Sequence, residues 1–277
     1  MAPPPAPAAD PAGGGPPGGG STGAGVLLVH GVGLDGELYA ALARRLEGAA
    51  PLAGGAPPAV VRRRGYDGRP PTADLGRHLD DLAGLLDGHL RRAGPRSVVV
   101  AGVSGGATLA LGLALRGHPA LAAVVAHESL LGPAAPAQHE RISASLARLA
   151  AEPGPAGVEG FLRRLVTDGT WASLPPAVRD RAVAAGETVR TEAPGFGAFA
   201  VEPCSLDRLA APVTWTVGRH SPPWRHEAAA VAAGAGVAVV QLACVHTPQV
   251  EDPSGFARVI AAAVETSVPR PAGAAEP

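Results

Sequence analysis

Short runs of β-branched residues alternate with longer stretches of helical spacing along most of this chain, and that alternation points to a parallel sheet covered by helices on both faces. The runs lie at 25–30 (GVLLVH), 59–63 (AVVRR), 97–102 (SVVVAG), 121–127 (LAAVVAH), 212–217 (PVTWTV) and 236–242 (GVAVVQL). Helices are expected near 37–47, 73–92, 105–117, 225–233 and 253–265, the fourth starting after the Pro222–Pro223 break. Between 130 and 208 the alternation stops, and only helical pieces separated by Pro and Gly remain, at 140–151, 157–167 and 176–190. That block reads as a helical cap inserted into a sheet domain formed by 25–129 and 209–267. The flanks, 1–24 and 268–277, are rich in Pro, Ala and Gly, cannot bury a core, and are expected to be disordered.

Composition removes several classes of function. With 23 basic against 24 acidic side chains in 277 residues, and no cluster of base-stacking aromatics, there is no electrostatic footprint for nucleic acid or an anionic membrane. Residues 98–115 form an uncharged stretch that a hydropathy window would flag, but its middle reads AGVSGGAT, a turn between strand and helix, so no transmembrane segment is expected. The N-terminal segment has neither the basic start nor the apolar centre of a secretory signal. The two cysteines, Cys204 and Cys244, allow no disulfide framework or four-cysteine zinc site and suit a reducing cytoplasm. All basic residues are Arg, and Lys and Asn are absent, which suggests a high-GC bacterial source.

The chemistry begins at Gly102-Val103-Ser104-Gly105-Gly106, directly after an apolar strand and directly before a helix. A serine nucleophile on a strained strand-to-helix turn needs this context, because only small neighbours let the helix pass so close to the strand. An ordinary glycine-rich turn would carry the same string. Two further segments narrow the choice: Leu27 to Gly33, a buried strand ending in His30-Gly31, and the loop holding His246 just after the last expected strand.

With these segments, and with Arg64-Gly65-Tyr66-Asp67-Gly68 after the second strand, the chain resembles the α/β-hydrolase superfamily over residues 26–260, its motifs falling in the family's order. The resemblance implies the α/β-hydrolase fold: a mostly parallel sheet of about six strands flanked by helices, with a helical cap after the strand that follows the nucleophile turn. It makes Ser104 the nucleophile and His246 its base, and it assigns the oxyanion donors to the backbone N–H groups of Val32 and Gly105. The hairpin that usually precedes the His-Gly strand is not expected here, which shortens the sheet at that edge. Val245 stands where relatives often have Gly before the catalytic His.

The acid departs from the commonest arrangement. Relatives usually carry an Asp after the penultimate strand, but residues 216–224 contain no carboxylate, and Glu227 is the only acid between Leu209 and His246. A minority arrangement, found in one branch of the haloalkane dehalogenases, takes the acid from the end of the strand after the nucleophile turn, where Glu128 stands. Glu128 is therefore the expected acid, facing the cleft at the C-terminal end of a parallel strand. Glu227 is expected to be a first-turn acid complementing a helix dipole, and a Ser–His dyad stays open.

No metal and no cofactor is expected. His118, His127 and His139 lack ligand spacing, and strand alternation should turn His127 away from Glu128. Gly31-Val32-Gly33 lacks the third glycine of a dinucleotide fingerprint and runs into an acidic loop. The expected partner is a small-molecule substrate, with no nucleic acid and no membrane. His30, Gly31, Trp171, His220 and Trp224 are candidates for lining its pocket.

These features read as a cytoplasmic, cofactor-independent serine hydrolase that cleaves an ester, lactone or thioester of a small apolar molecule through an acyl-enzyme. A lyase or cyclase using the same Ser and His, or a binding protein on this fold, stays open, because fold alone does not choose among them.

Overall fold

The computed structural model describes residues 24–49, 52, 56–93 and 97–267. The expected tails lie outside these residues, except Ala24, which is buried against the first strand and moves the boundary of the core forward.

Six parallel strands form one sheet: β1 (Gly25–Val29), β2 (Ala59–Val61), β3 (Val98–Val103), β4 (Leu121–His127), β5 (Val213–Gly218) and β6 (Ala238–Leu242), in the order β2-β1-β3-β4-β5-β6. The central strand β3 reads VVVAGV and is buried throughout, as a strand covered on both faces must be. Helices α1 (Ala40–Glu47) and α12 (Pro253–Ser267), the latter preceded by the single turn α11 (Pro248–Glu251), cover one face, where Leu42, Leu46, Phe256 and Ile260 pack on Val99, Ala101 and Val125. On the other face, α2 (Leu75–Ala93), α3 (Gly105–Leu115) and α10 (Pro223–Gly234) pack on Val100, Val124 and Val217. Pro lies in the first turn of α10, where the N–H it lacks has no intrahelical acceptor. The sheet's β6 edge is open, and Val239 and Val240 are exposed on it.

Strand and helix boundaries differ from expectation by one or two residues at most ends. The stretch between β4 and β5 differs more: five helices stand there where three pieces were expected. These are α4 (Pro136–Ala151), α5 (Gly154–Val166), α6 (Asp168–Ser173), α7 (Pro176–Ala184) and α8 (Gly186–Gly197), followed by the single turn α9 (Pro203–Leu206). The piece expected at 176–190 is two helices, because the backbone leaves helical geometry at Ala185 and restarts at Gly186. The unexpected α6 is set by Thr167, which sits at φ 73° and accepts a hydrogen bond from Thr170 N. Gly132, at φ 62°, turns the chain out of the sheet; a side chain there would strike the backbone of Phe199 and Ala200. No described helix is long and apolar enough to cross a membrane.

Candidate active site

β3 ends at Val103 and α3 starts at Gly105, leaving Ser104 alone in the turn at φ 54°, ψ −119°. A non-glycine residue held there is strained by about 1–3 kcal/mol. Its neighbours explain how the turn closes. A Cβ on Gly102 would strike the carbonyl of Gly106, and one on Gly106 would strike Val29 O and His30 O, so strand and helix backbones touch directly. Ser104 N donates to His127 O at 2.8 Å, which ties the turn to the end of β4.

Gly105 opens α3, and the N–H groups of a first helical turn have no intrahelical acceptor. Val32 lies beside it: its Cγ2 would be 3.1 Å from a Cβ on Gly105. Gly31 passes so close that a Cβ there would be 3.3 Å from Ser104 Cβ. The loop from His30 to Gly33 is held from below by Arg63, whose Nε donates to His30 O (2.9 Å) and Nη2 to Gly31 O (2.7 Å). Arg63 Nη1 pairs with Glu192 on α8 at 2.7 Å. Tyr66 donates to Glu192 at 2.5 Å and accepts from Gly33 N at 2.7 Å. His30 is fully buried in this cluster, and burial with the nearby Arg63 holds its imidazole well below the usual range. Arg63 and Glu192 were not singled out by sequence reasoning.

Glu128 and His246, 118 positions apart, meet at the C-terminal end of the sheet, with His246 Nδ1 donating to Glu128 Oε2 at 2.6 Å. Both are almost completely buried. Glu128 Oε1 accepts from Gly218 N at 3.0 Å and from Ser221 Oγ, and the Arg225 guanidinium binds Oε2. Arg225 is itself fully enclosed, reaches Leu165 O on α5 with Nη2 (2.7 Å) and stacks on Trp224. The His loop is fixed from the other side by Glu251, whose Oε2 accepts from Val245 N, His246 N and Thr247 N at 3.0–3.1 Å. Thr170 of α6 donates to the other oxygen of Glu251 at 2.5 Å.

His127 does not point away from Glu128 as strand alternation implied. Glu128 has φ 51°, which breaks the alternation after the last strand residue and folds its carboxylate back, so His127 Nε2 lies 3.8 Å from Oε1. His127, Glu128 and His246 therefore present donor atoms within 4.8 Å of one another, a spacing a metal could use. Two of the three are committed otherwise: His246 Nδ1 and the Arg225 guanidinium both occupy the Glu128 carboxylate, and a guanidinium at that carboxylate repels a cation. The His127 ring, donating or accepting at Thr216 Oγ1 (3.0 Å), is pushed by burial down to about 4 and stays neutral.

Ser104, which is half-buried, and His246 line one small cavity of about 10 Å³, room for roughly one water. Gly31, Val32, Leu162 and Leu165 complete most of its wall. No hydrogen bond joins Ser104 Oγ to His246 among the described residues, although both line the same cavity. Of the other pocket candidates, His30 lies beneath the loop, His220 is exposed, Trp171 is buried against Glu159, and Trp224 faces a groove outside this cavity. Glu227 is not in the first turn of its own helix. It accepts from Gln138 N at 3.1 Å and so caps the start of the neighbouring α4.

The sequence matches the alpha/beta hydrolase family over residues 26–259, and the chain belongs to it. Its fold is similar to that of an esterase from Thermogutta terrifontis, at 25% identity and TM-score 0.68 over 90% of this chain and 92% of that one. It is also similar to MenH from S. aureus (18% identity, TM-score 0.65, 88% and 94% covered) and to an enol-lactonase from Burkholderia xenovorans LB400 (18%, 0.63, 88% and 92%). No curated protein matches the sequence.

Proposed function

We propose that this alpha/beta hydrolase is a serine hydrolase that cleaves a carboxylic ester, lactone or thioester through an acyl-enzyme on Ser104. The observation that carries this reading is the 2.6 Å bond from His246 Nδ1 to Glu128, beside a serine held at φ 54° between strand and helix. With Nδ1 engaged as donor, Nε2 carries the lone pair and takes the Ser104 hydroxyl proton as Oγ bonds to the substrate carbonyl carbon. The oxyanion that forms is held by the N–H groups of Val32 and Gly105. Collapse of the tetrahedral intermediate breaks the bond to the alcohol or thiol, which leaves with the proton from Nε2. Water then repeats the sequence, returning the acid product and free Ser104. These steps call on no metal or organic cofactor.

The helices α4 to α8 act as the cap in this reading. Leu34, Leu162, Leu165 and Val166 give the reacting end of the substrate an apolar seat, and the small cavity suits a small molecule rather than a polymer. The two unpaired cysteines support a cytoplasmic setting. Intact mass after treatment with a fluorophosphonate tests the reading. Wild type should gain one equivalent and Ser104→Ala none; a wild type that stays unmodified, or a Ser104→Ala variant that still labels, overturns it.

A further inference from the structure

The small cavity at Ser104 seats at most the reacting end of a substrate, and a groove of about 730 Å³ runs between α4 and α5. Leu165 belongs to the walls of both, so the two spaces share a residue. The backbone of Leu165 is in turn held by Arg225, the same guanidinium that binds Glu128.

The groove is lined by four guanidinium groups and two carboxylates. Arg163 uses both carboxylates, Asp168 at 2.7 Å and Glu159 at 3.7 Å. The side chains of Arg141 and Arg148, seven positions apart and so on one side of α4, make no ion pair or hydrogen bond among the described residues. Arg164 faces them from α5. Its Nε and Nη2 are removed from water and have no acceptor, while its nearest carboxylate, Glu152, is 3.9 Å from Nη1. Arg164 is thus only loosely paired and its side chain stays partly exposed, and a planar fork of N–H groups matches a carboxylate or phosphate best.

We infer that this groove binds an anionic group, a carboxylate or phosphate, at the end of the substrate remote from the scissile carbonyl, with Arg148 and Arg164 as its principal contacts and Arg141 at the same face. The inference rests on the hydrolase reading for its link to turnover and gives the substrate class: an ester, lactone or thioester with an apolar reacting end and one distal anion. Trp224 also lines the groove, and its ring packs on the Arg225 guanidinium that binds Glu128.

The test pairs turnover with binding. Initial rates are measured on 4-nitrophenyl monoesters of succinate, glutarate, adipate and suberate, each against its neutral methyl diester, and monomethyl adipate is titrated calorimetrically into the Ser104→Ala protein. Wild type should prefer the anionic ester at one chain length by about tenfold or more in kcat/KM, mainly through KM, and that ratio should fall at least about fivefold in Arg148→Gln/Arg164→Gln. Arg91→Gln, on the distant α2, controls for a general charge effect and should leave the ratio where it was. Inorganic phosphate competing with monomethyl adipate in the titration assigns the groove to phosphates as well, and its failure to compete assigns it to carboxylates. Equal rates on charged and neutral esters at every length, or a ratio unchanged in the double variant, overturn the inference. If no ester is turned over, the hydrolase reading falls, and the groove is then decided by the titration alone: binding lost in Ser104→Ala/Arg148→Gln/Arg164→Gln upholds it, and no binding in the parent rejects it.

Discussion

Two buried arginine–glutamate pairs flank the Ser104 cavity, Arg63–Glu192 under the His30–Gly33 loop and Arg225–Glu128 behind His246. All four side chains are at most 4% exposed. Burial works against the charge of both arginines. At Arg63 the attraction of Glu192 and Tyr66 outweighs burial and its pKa is raised; at Arg225 burial wins and its pKa is lowered. The difference lies in what else each carboxylate serves. Glu192 faces a guanidinium and one phenol, so its charge is spent on holding a loop to α8. Glu128 is divided among Arg225, His246, Ser221 and Gly218 N, and one of those partners is the imidazole that, in the proposed hydrolase, gains and loses a proton. In that proposal the same chemical pair is a fastener on one side of the cavity and part of the proton machinery on the other.

That contrast breaks first at the carboxylates. Glu128→Gln should lower kcat on an activated ester by about 10⁴, since it removes the charge that orients and stabilises the imidazolium, and should also lower the melting temperature, because Arg225 is left buried without its counter-charge. Glu192→Gln should keep kcat within about tenfold while lowering stability; equal kcat losses in the two variants would erase the distinction.

The arginines sharpen it. Arg225→Met and Arg63→Met each leave a buried carboxylate without its cation, and each should lose about 3–5 kcal/mol of unfolding free energy in urea titrations. Only Arg225→Met should also move the acid limb of the kcat/KM profile. His246 is faced by Glu128, His127, Arg225 and Glu251, and deleting the one fixed cation favours the protonated, inactive imidazole, so the limb should shift to higher pH. An unmoved limb would make Arg225 a fastener like Arg63.

His127 gives a smaller, pH-dependent effect. Its folded pKa of about 4 lies below the unfolded value of 6.5, so the native state resists protonation. The stability this gives is complete above pH 6.5 and is lost as pH falls toward 4, by at most about 3 kcal/mol at 1.4 kcal/mol per unit. His127→Gln should flatten the fall in melting temperature between pH 6.5 and 4. Smallest of all, Glu227→Ala should remove the cap on α4, change stability by about 1 kcal/mol and leave kcat alone.

The sheet and the nearness of Ser104, Glu128 and His246 were legible because each depends on local pattern plus motif order: apolar runs, small residues around a serine, a carboxylate ending one strand and an imidazole following another. The supports were less legible. Arg63 meets Glu192 across 129 positions and Arg225 meets Glu128 across 97, distances over which spacing carries no information. A weak signal did exist for Arg63, since alternation after Val61 turns Arg62 outward and Arg63 inward. Alternation misled at His127 and Glu128, where the backbone enters the left-handed region. Helix spacing likewise merged α7 with α8, because Ala185 and Gly186 break the backbone without breaking the apolar pattern.

The pairing of β4 with β5 has a kinetic consequence. Val124 pairs with Val213 across the whole run of inserted helices, and His246 arrives only after β5 and β6 have been laid down. Closing so long a segment adds little to the free-energy balance, because the entropy of closure grows only with the logarithm of length, but it delays the docking of β5 relative to helices built from local contacts. On dilution from denaturant, helical ellipticity should therefore return in an early phase, while competence to react with an active-site titrant should return in a later one, when the second half of the sheet brings His246 to the carboxylate left waiting at the end of β4.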